Sequence, residues 1–133
     1  MTTLFATTAT VDRTRHSARV NNGRVVLWAG QFVIAAAFLM AGGSKFAGVP
    51  AMVALFNAIG IGQWFRYVTA TIEVGSAIAL LVPALAPYGA LALVATMTGA
   101  VVTHLFIVGG SPLPALVLGA GSAAIAWARR DQF

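Results

Sequence analysis

The segment VVLWAGQFVIAAAFLMAGG, residues 25–43, decides the fold class of this chain because it contains no charged side chain. A helix that spans a membrane needs about 20 consecutive, mainly apolar residues, since each residue advances the helix by about 1.5 Å. Three further apolar runs follow, at about residues 63–82, 87–108 and 113–128. The sequence therefore predicts an all-α protein that crosses a membrane four times.

The composition of the whole chain supports a membrane protein. Of its 133 residues, 59% are hydrophobic and 8% are charged, whereas about 25% of the residues of an ordinary soluble domain are charged. A soluble protein of this size needs polar side chains over a large surface, so a water-soluble enzyme is excluded. The chain contains no cysteine, which excludes disulfides, thiolate nucleophiles and iron–sulfur clusters bound by its own side chains.

The basic residues lie mainly outside the apolar runs. Four arginines precede the first run and two follow the last: Arg13, Arg15, Arg19, Arg24, Arg129 and Arg130. Basic residues that flank spans favour the cytoplasmic side, so we expect both termini there. A nucleic-acid partner is not expected, because it would require basic residues clustered on one folded face.

Residues 1–23 are rich in Thr, Arg and Asn, and their apolar residues show no sustained period. This composition predicts a disordered basic N-terminal tail. The membrane domain then covers residues 24–130, and residues 131–133 form a short C-terminal tail.

The stretch between the first two spans predicts a short helix of its own. Pro50 is typical of a first helical turn, and Met52, Leu55, Phe56 and Ile59 form one apolar face at helical spacing. Glycines interrupt the stretch on both sides, which argues against a fifth span. The predicted fold is a membrane-embedded antiparallel four-helix bundle with a short interfacial helix between the first and second spans.

Polar residues within the spans are the candidates for a functional site. Lys45, Arg66 and Glu73 are the only charged residues between positions 25 and 128. An acid in the bilayer interior costs about 2.5–3.5 kcal/mol on insertion scales, so we expect Glu73 to face the bundle and either to have a partner or to be protonated. In the predicted topology Lys45, Arg66 and His104 belong to the outer half of the bundle, with Glu73 beneath them. All four are candidate ligand-binding residues, and Glu73 and His104 are a candidate proton relay.

Each candidate also has a structural interpretation. Glu73 could be an acid paired between helices, Lys45 and Arg66 could extend toward lipid headgroups, and His104 could be satisfied by one hydrogen bond. No metal site is expected, because one histidine and one glutamate are an incomplete set of ligands. Haem is not expected either, since the other histidine, His16, lies in the predicted tail.

Four motifs occur in an order that resembles the DoxX-like family of small four-span membrane proteins. They are AFLMAGGSKFAG at 37–48, FNAIGIGQWF at 56–65, TATIEVGSAIALLVP at 69–83 and GALALVATMTGAVVTHLF at 89–106. The resemblance implies a multi-pass protein of the bacterial inner membrane. It also implies a link to membrane complexes that handle oxidative stress and to subunits of thiosulfate:quinone oxidoreductases, but it assigns no catalytic residue.

Three functions are consistent with this resemblance and with the polar cluster. The first is an accessory or scaffold subunit of a membrane redox complex, which docks protein partners through its basic tail. The second is a quinone-binding oxidoreductase subunit, in which Lys45 or His104 bonds the quinone and Glu73 passes protons. The third is a transporter of protons or small solutes, which would require a homo-oligomer. No intrinsic cofactor is expected, a quinone is the candidate ligand, and enzymatic activity of the chain itself stays open.

Overall fold

The computed structural model describes residues 2–133, apart from the side chains of residues 2–6, 8, 9 and 20. Five α-helices follow one another in this part of the chain: α1 (Thr2–Ala47), α2 (Pro50–Ile59), α3 (Trp64–Leu80), α4 (Ala86–Thr103) and α5 (Leu113–Ala128). α4 continues into a π-helical turn at His104–Val108, and a 3₁₀ turn at Arg130–Gln132 follows α5. No strand occurs within residues 2–133, so the prediction of an all-α protein is confirmed.

Two helical segments are long and apolar enough to cross a membrane. They are Thr10–Ala47 in α1, and Ala86–Val108, which joins α4 to the π turn. α2 and α5 are shorter apolar helices. α3 has 17 residues, which corresponds to about 25 Å at the rise of an α-helix.

The packing order of the helices follows the chain. α1 packs against α3, α3 against α4 and α4 against α5, and α5 also contacts α1. Phe38, Leu80 and Leu93 are completely buried at the centre of this assembly. A glycine allows α4 to approach α3 closely, because a Cβ atom at Gly89 would lie 2.8 Å from the carbonyl oxygen of Ser76. Small residues at helix contacts are typical of close packing in lipid.

The N-terminal part of α1 covers the stretch for which the sequence predicts a disordered tail, residues 1–23. In the structure α1 runs without interruption from Thr2 to Ala47, while Met1 lies outside the described residues. No proline interrupts this stretch, and the side chains at 10–19 are all exposed. The disorder of this tail stays a prediction.

α2 occupies the position that the sequence predicts for a short helix. It begins at Pro50, buries Phe56, and ends at Gly60, whose φ of 87° lies in the left-handed region that favours glycine. α2 contacts α1, α3 and the π turn. Its location at a membrane interface stays a prediction.

A buried polar network joins the interior of α1 to the C-terminal ends of α3 and α5. The Nε2 atom of Gln31 in α1 donates to the carbonyl oxygen of Leu80 at 2.6 Å. The Oε1 atom of Gln31 accepts from Nε of Arg129 at 2.6 Å, and this guanidinium lies 5.0 Å from the centre of the Trp28 ring. The network fixes the ends of α3 and α5 against α1.

Candidate functional site

An ion pair between Lys45 and Glu73 lies at the contact of α1 with α3. The Nζ atom of Lys45, in the last turn of α1, donates to Oε2 of Glu73 at 2.9 Å. The exposed fraction is 12% for the lysine side chain and 2% for the glutamate side chain. A carboxylate with this degree of burial requires a partner of opposite charge, and Lys45 is that partner.

The ion pair forms part of the wall of a cavity of about 400 Å³. His104, from the π turn, lines the same cavity. Most of the remaining wall is apolar and comes from each of the helices α1 to α5; it includes Phe38, Met52, Phe56, Ile72, Met97 and Leu118. Such a cavity matches a ligand that is apolar over most of its surface and polar at one end.

The polar groups of the cavity keep hydrogen-bonding capacity for a ligand. Lys45 donates to Oε2 of Glu73, and no described side chain donates to the other carboxylate oxygen, Oε1. The ammonium of Lys45 has three protons and donates one of them to Glu73. Both members of the pair can therefore bond a ligand without separating.

One hydrogen bond defines the orientation of the His104 ring. Its Nδ1 atom lies 3.0 Å from the carbonyl oxygen of Gly109. A carbonyl oxygen only accepts, so Nδ1 is the donor of this bond and Nε2 is left for a ligand. The contact closes the π turn, and π turns occur frequently at functional sites.

Three threonines also line the cavity, but their hydroxyl protons are already used. Thr69, Thr96 and Thr103 each donate to the carbonyl oxygen four residues earlier in their own helix. They therefore add acceptor capacity rather than donors to the wall. The available donors of the cavity come mainly from Lys45.

Arg66 is the candidate that the structure separates from the other three. Its side chain is buried but does not line the cavity. Its Nε donates to Oε1 of Gln63 at 2.7 Å, its Nη1 donates to the backbone carbonyl of Lys45, and its guanidinium lies 4.4 Å from the centre of the Tyr67 ring. Arg66 thus fastens the start of α3 to the end of α1 and positions Lys45, instead of facing a ligand.

α2 has a part in the site that was not predicted from the sequence. The apolar face of this helix, Met52, Leu55, Phe56 and Ile59, lines the cavity. The helical spacing of these residues showed that the face exists, but it did not show what the face packs against. Gln31 was missed in the same way, although an amide inside an apolar run indicates a buried polar contact.

No metal-binding cluster is found in the described part of the chain. No group of three His, Cys, Asp or Glu side chains lies close enough there to hold an ion.

Comparison with known proteins gives one match. The family model of the DoxX-like family matches residues 29–129, a range that includes the ion pair and the histidine of the cavity. No curated protein and no solved structure matches the chain. Since the match covers more than half of the sequence, this chain belongs to the DoxX-like family.

Proposed function

We propose that α1, α3, α4 and α5 each cross the bilayer as an antiparallel bundle, with α2 at one membrane surface. Membership of the family and the two helices of spanning length support this arrangement. Large apolar side chains are exposed on all four helices, among them Val33, Ile78, Val102 and Val117. An exposed apolar surface of this extent is unfavourable in water and favourable against lipid chains.

The proposed orientation places both termini in the cytoplasm of a bacterium, with the protein in the inner membrane. Arginines before α1 reaches its apolar part and directly after α5 support this orientation. α3 and α5 have 17 and 16 residues, fewer than the roughly 20 that cross an average bilayer. Local thinning of the bilayer would accommodate helices of this length. The cavity then lies in the outer half of the membrane.

Within this arrangement we propose that the protein binds a quinone-type molecule in the cavity. One observation carries the proposal: a buried ion pair with free hydrogen-bonding capacity lies in a wall that is mostly apolar. A quinone head group has two carbonyl oxygens that accept hydrogen bonds and a flat ring that prefers apolar surroundings. Lys45 supplies the donor, and Phe38 and Phe56 supply aromatic surface.

Glu73 and His104 are the proposed proton carriers of this site. Reduction of a quinone to a quinol takes up two electrons and two protons, and both side chains line the cavity. The chain has no cysteine for an iron–sulfur cluster, so we assign the supply of electrons to a redox protein that associates with it. In this proposal the chain is the membrane subunit of a redox complex and not a complete enzyme.

A docking role for the N-terminal part of α1 belongs to the same proposal. The side chains at 10–19 are exposed and include Arg13, Arg15 and Arg19. A basic helix on the cytoplasmic side offers a surface for an acidic partner. We propose that a soluble partner protein of the complex binds there.

The test is a binding titration with protein in lipid nanodiscs and a benzoquinone as the ligand. The double variant Lys45→Met/Glu73→Leu removes both charges together, which avoids leaving one of them unpaired. Loss of hydrogen bonds to charged groups should weaken binding by about tenfold or more. Arg24→Met is the matched control, because Arg24 is exposed and remote in sequence from the cavity-lining residues. Equal affinity of the wild type and the double variant would refute the proposal.

A further inference from the structure

Four residues that line the cavity are exposed: Pro114 on α5, and a group of three, which are Ile72 on α3 and Ala95 and Gly99 one turn apart on α4. We call the exposed edge of the cavity at these three residues, between α3 and α4, its opening. Ala95 and Gly99 lie in the middle of Ala86–Val108, the segment of spanning length. The opening is therefore at the depth of the lipid chains in the proposed arrangement, and not at the aqueous surface.

The same two helices are in close contact at their other end. A Cβ atom at Gly89 would lie 2.8 Å from Ser76 and 2.9 Å from the side chain of Ala79. A Cβ atom at Gly99 would have no neighbour within 4 Å. Ten residues correspond to about 15 Å along α4. Over this length α4 passes from a close contact with α3 at Gly89 to open space at Gly99, which lines the cavity.

The size of the cavity limits what it can enclose. Its volume is about 400 Å³, near the lower end of the roughly 300–1,000 Å³ of typical ligand sites. A head group and a short apolar segment fit this volume, but a long hydrocarbon chain does not. A molecule with such a chain must extend through an opening, and the opening between α3 and α4 has an apolar rim.

From these observations we infer that the ligand carries a long hydrocarbon tail and enters sideways from the bilayer between α3 and α4. The head group bonds the Lys45–Glu73 pair, and the tail stays in the opening beside Ile72, Ala95 and Gly99. This inference depends on the proposed function, because it assumes that the cavity holds a ligand. It adds the class of ligand, a lipid-soluble amphiphile, and the route by which it enters.

The variant Gly99→Leu tests the route by filling the opening. The site has free space for the new side chain, and leucine is a better helix former than glycine, so the fold is retained. Gly75→Leu is the matched control, because Gly75 on α3 is also exposed, has equal free space and does not line the cavity. Two ligands are compared: a benzoquinone with a long isoprenoid tail, and the same benzoquinone in which a methyl group replaces the tail.

Filling the opening should lower the affinity only for the quinone that has a long tail. Gly99→Leu should weaken binding of the tailed quinone by about tenfold and leave binding of the methyl compound nearly unchanged, while Gly75→Leu changes neither. Equal effects of Gly99→Leu on both compounds, or no effect on either, would overturn the route and leave the proposed function intact. Failure of the wild type to bind either compound would overturn both.

A labelling experiment tests the same opening without relying on affinities. The chain has no cysteine, so Ala95→Cys introduces a single thiol at the rim. A lipid-soluble maleimide should label it in vesicles, and the tailed quinone should protect it. Thr98→Cys, exposed on α4 but away from the cavity, should be labelled equally with and without the quinone. Labelling of Ala95→Cys that the quinone does not change would contradict the inference.

Discussion

Removal of one member of the Lys45–Glu73 pair should destabilise the protein strongly. The two charged atoms are 2.9 Å apart, and the side chains are 12% and 2% exposed. In Lys45→Met the carboxylate of Glu73 loses its only hydrogen-bond donor among the described side chains. Breaking a buried pair from one side costs about 3–5 kcal/mol. For a chain of this length the loss corresponds to a fall in Tm of about 10–20 °C.

Replacement of both members should have a much smaller effect. Lys45→Met together with Glu73→Leu leaves no charge to solvate, and such apolar replacements are often neutral or stabilising. We therefore expect the double variant to unfold close to the wild-type temperature while it fails to bind the quinone. This combination separates the contribution of the pair to stability from its contribution to binding.

The assay is thermal unfolding in a mild detergent, followed by intrinsic tryptophan fluorescence and repeated in nanodiscs. Arg24→Met serves as the control, since it removes a positive charge at an exposed position and should leave Tm nearly unchanged. The reasoning would be refuted if Lys45→Met unfolded at the wild-type temperature. It would also be refuted if the double variant were as unstable as the single one.

Three further predictions concern residues outside the ion pair. Gln31→Leu removes both hydrogen bonds of the buried amide and leaves Arg129 without its glutamine acceptor. The free energy of unfolding should therefore fall by about 1–3 kcal/mol. A Tm equal to that of the wild type would contradict a stabilising role of the network. Arg66→Met should weaken quinone binding less than Lys45→Met does, because Arg66 acts through the position of Lys45. Arg66→Lys should recover only part of the lost affinity, since a lysine lacks the planar fork that bonds two acceptors. Full recovery of the affinity in Arg66→Lys would argue against this geometry. Deletion of residues 2–20 should abolish co-purification of protein partners and leave Tm and quinone binding intact; retention of every partner would exclude docking at this part of α1.

The sequence predicted helix positions well where local signals define them. The run at 113–128 coincides with α5, and the run at 63–82 exceeds α3, Trp64–Leu80, by one residue at its start and two at its end. Apolar runs bounded by proline and glycine carry this information in the chain itself. Residues 1–23 carry no such signal, because their apolar residues show no sustained period.

Contacts between helices could not be predicted with the same success. Gln31 and Arg129 are 98 residues apart, and nothing local indicates that the end of α5 meets the interior of α1. Arg66 and Glu73 are seven residues apart on nearly the same face, yet Arg66 bonds the end of α1 whereas Glu73 lines the cavity. Such differences depend on the rotation and splay of packed helices, which the composition of a single helix does not determine.

The most direct test of the proposed quinone site is the identity of the small molecules that accompany the protein out of its membrane. The wild type and the Lys45→Met/Glu73→Leu variant would be purified in mild detergent, and their extracts compared by mass spectrometry. The proposal predicts a tailed quinone in stoichiometric amount with the wild type and its loss from the double variant. A wild-type protein without quinone, or equal amounts in both preparations, would contradict it.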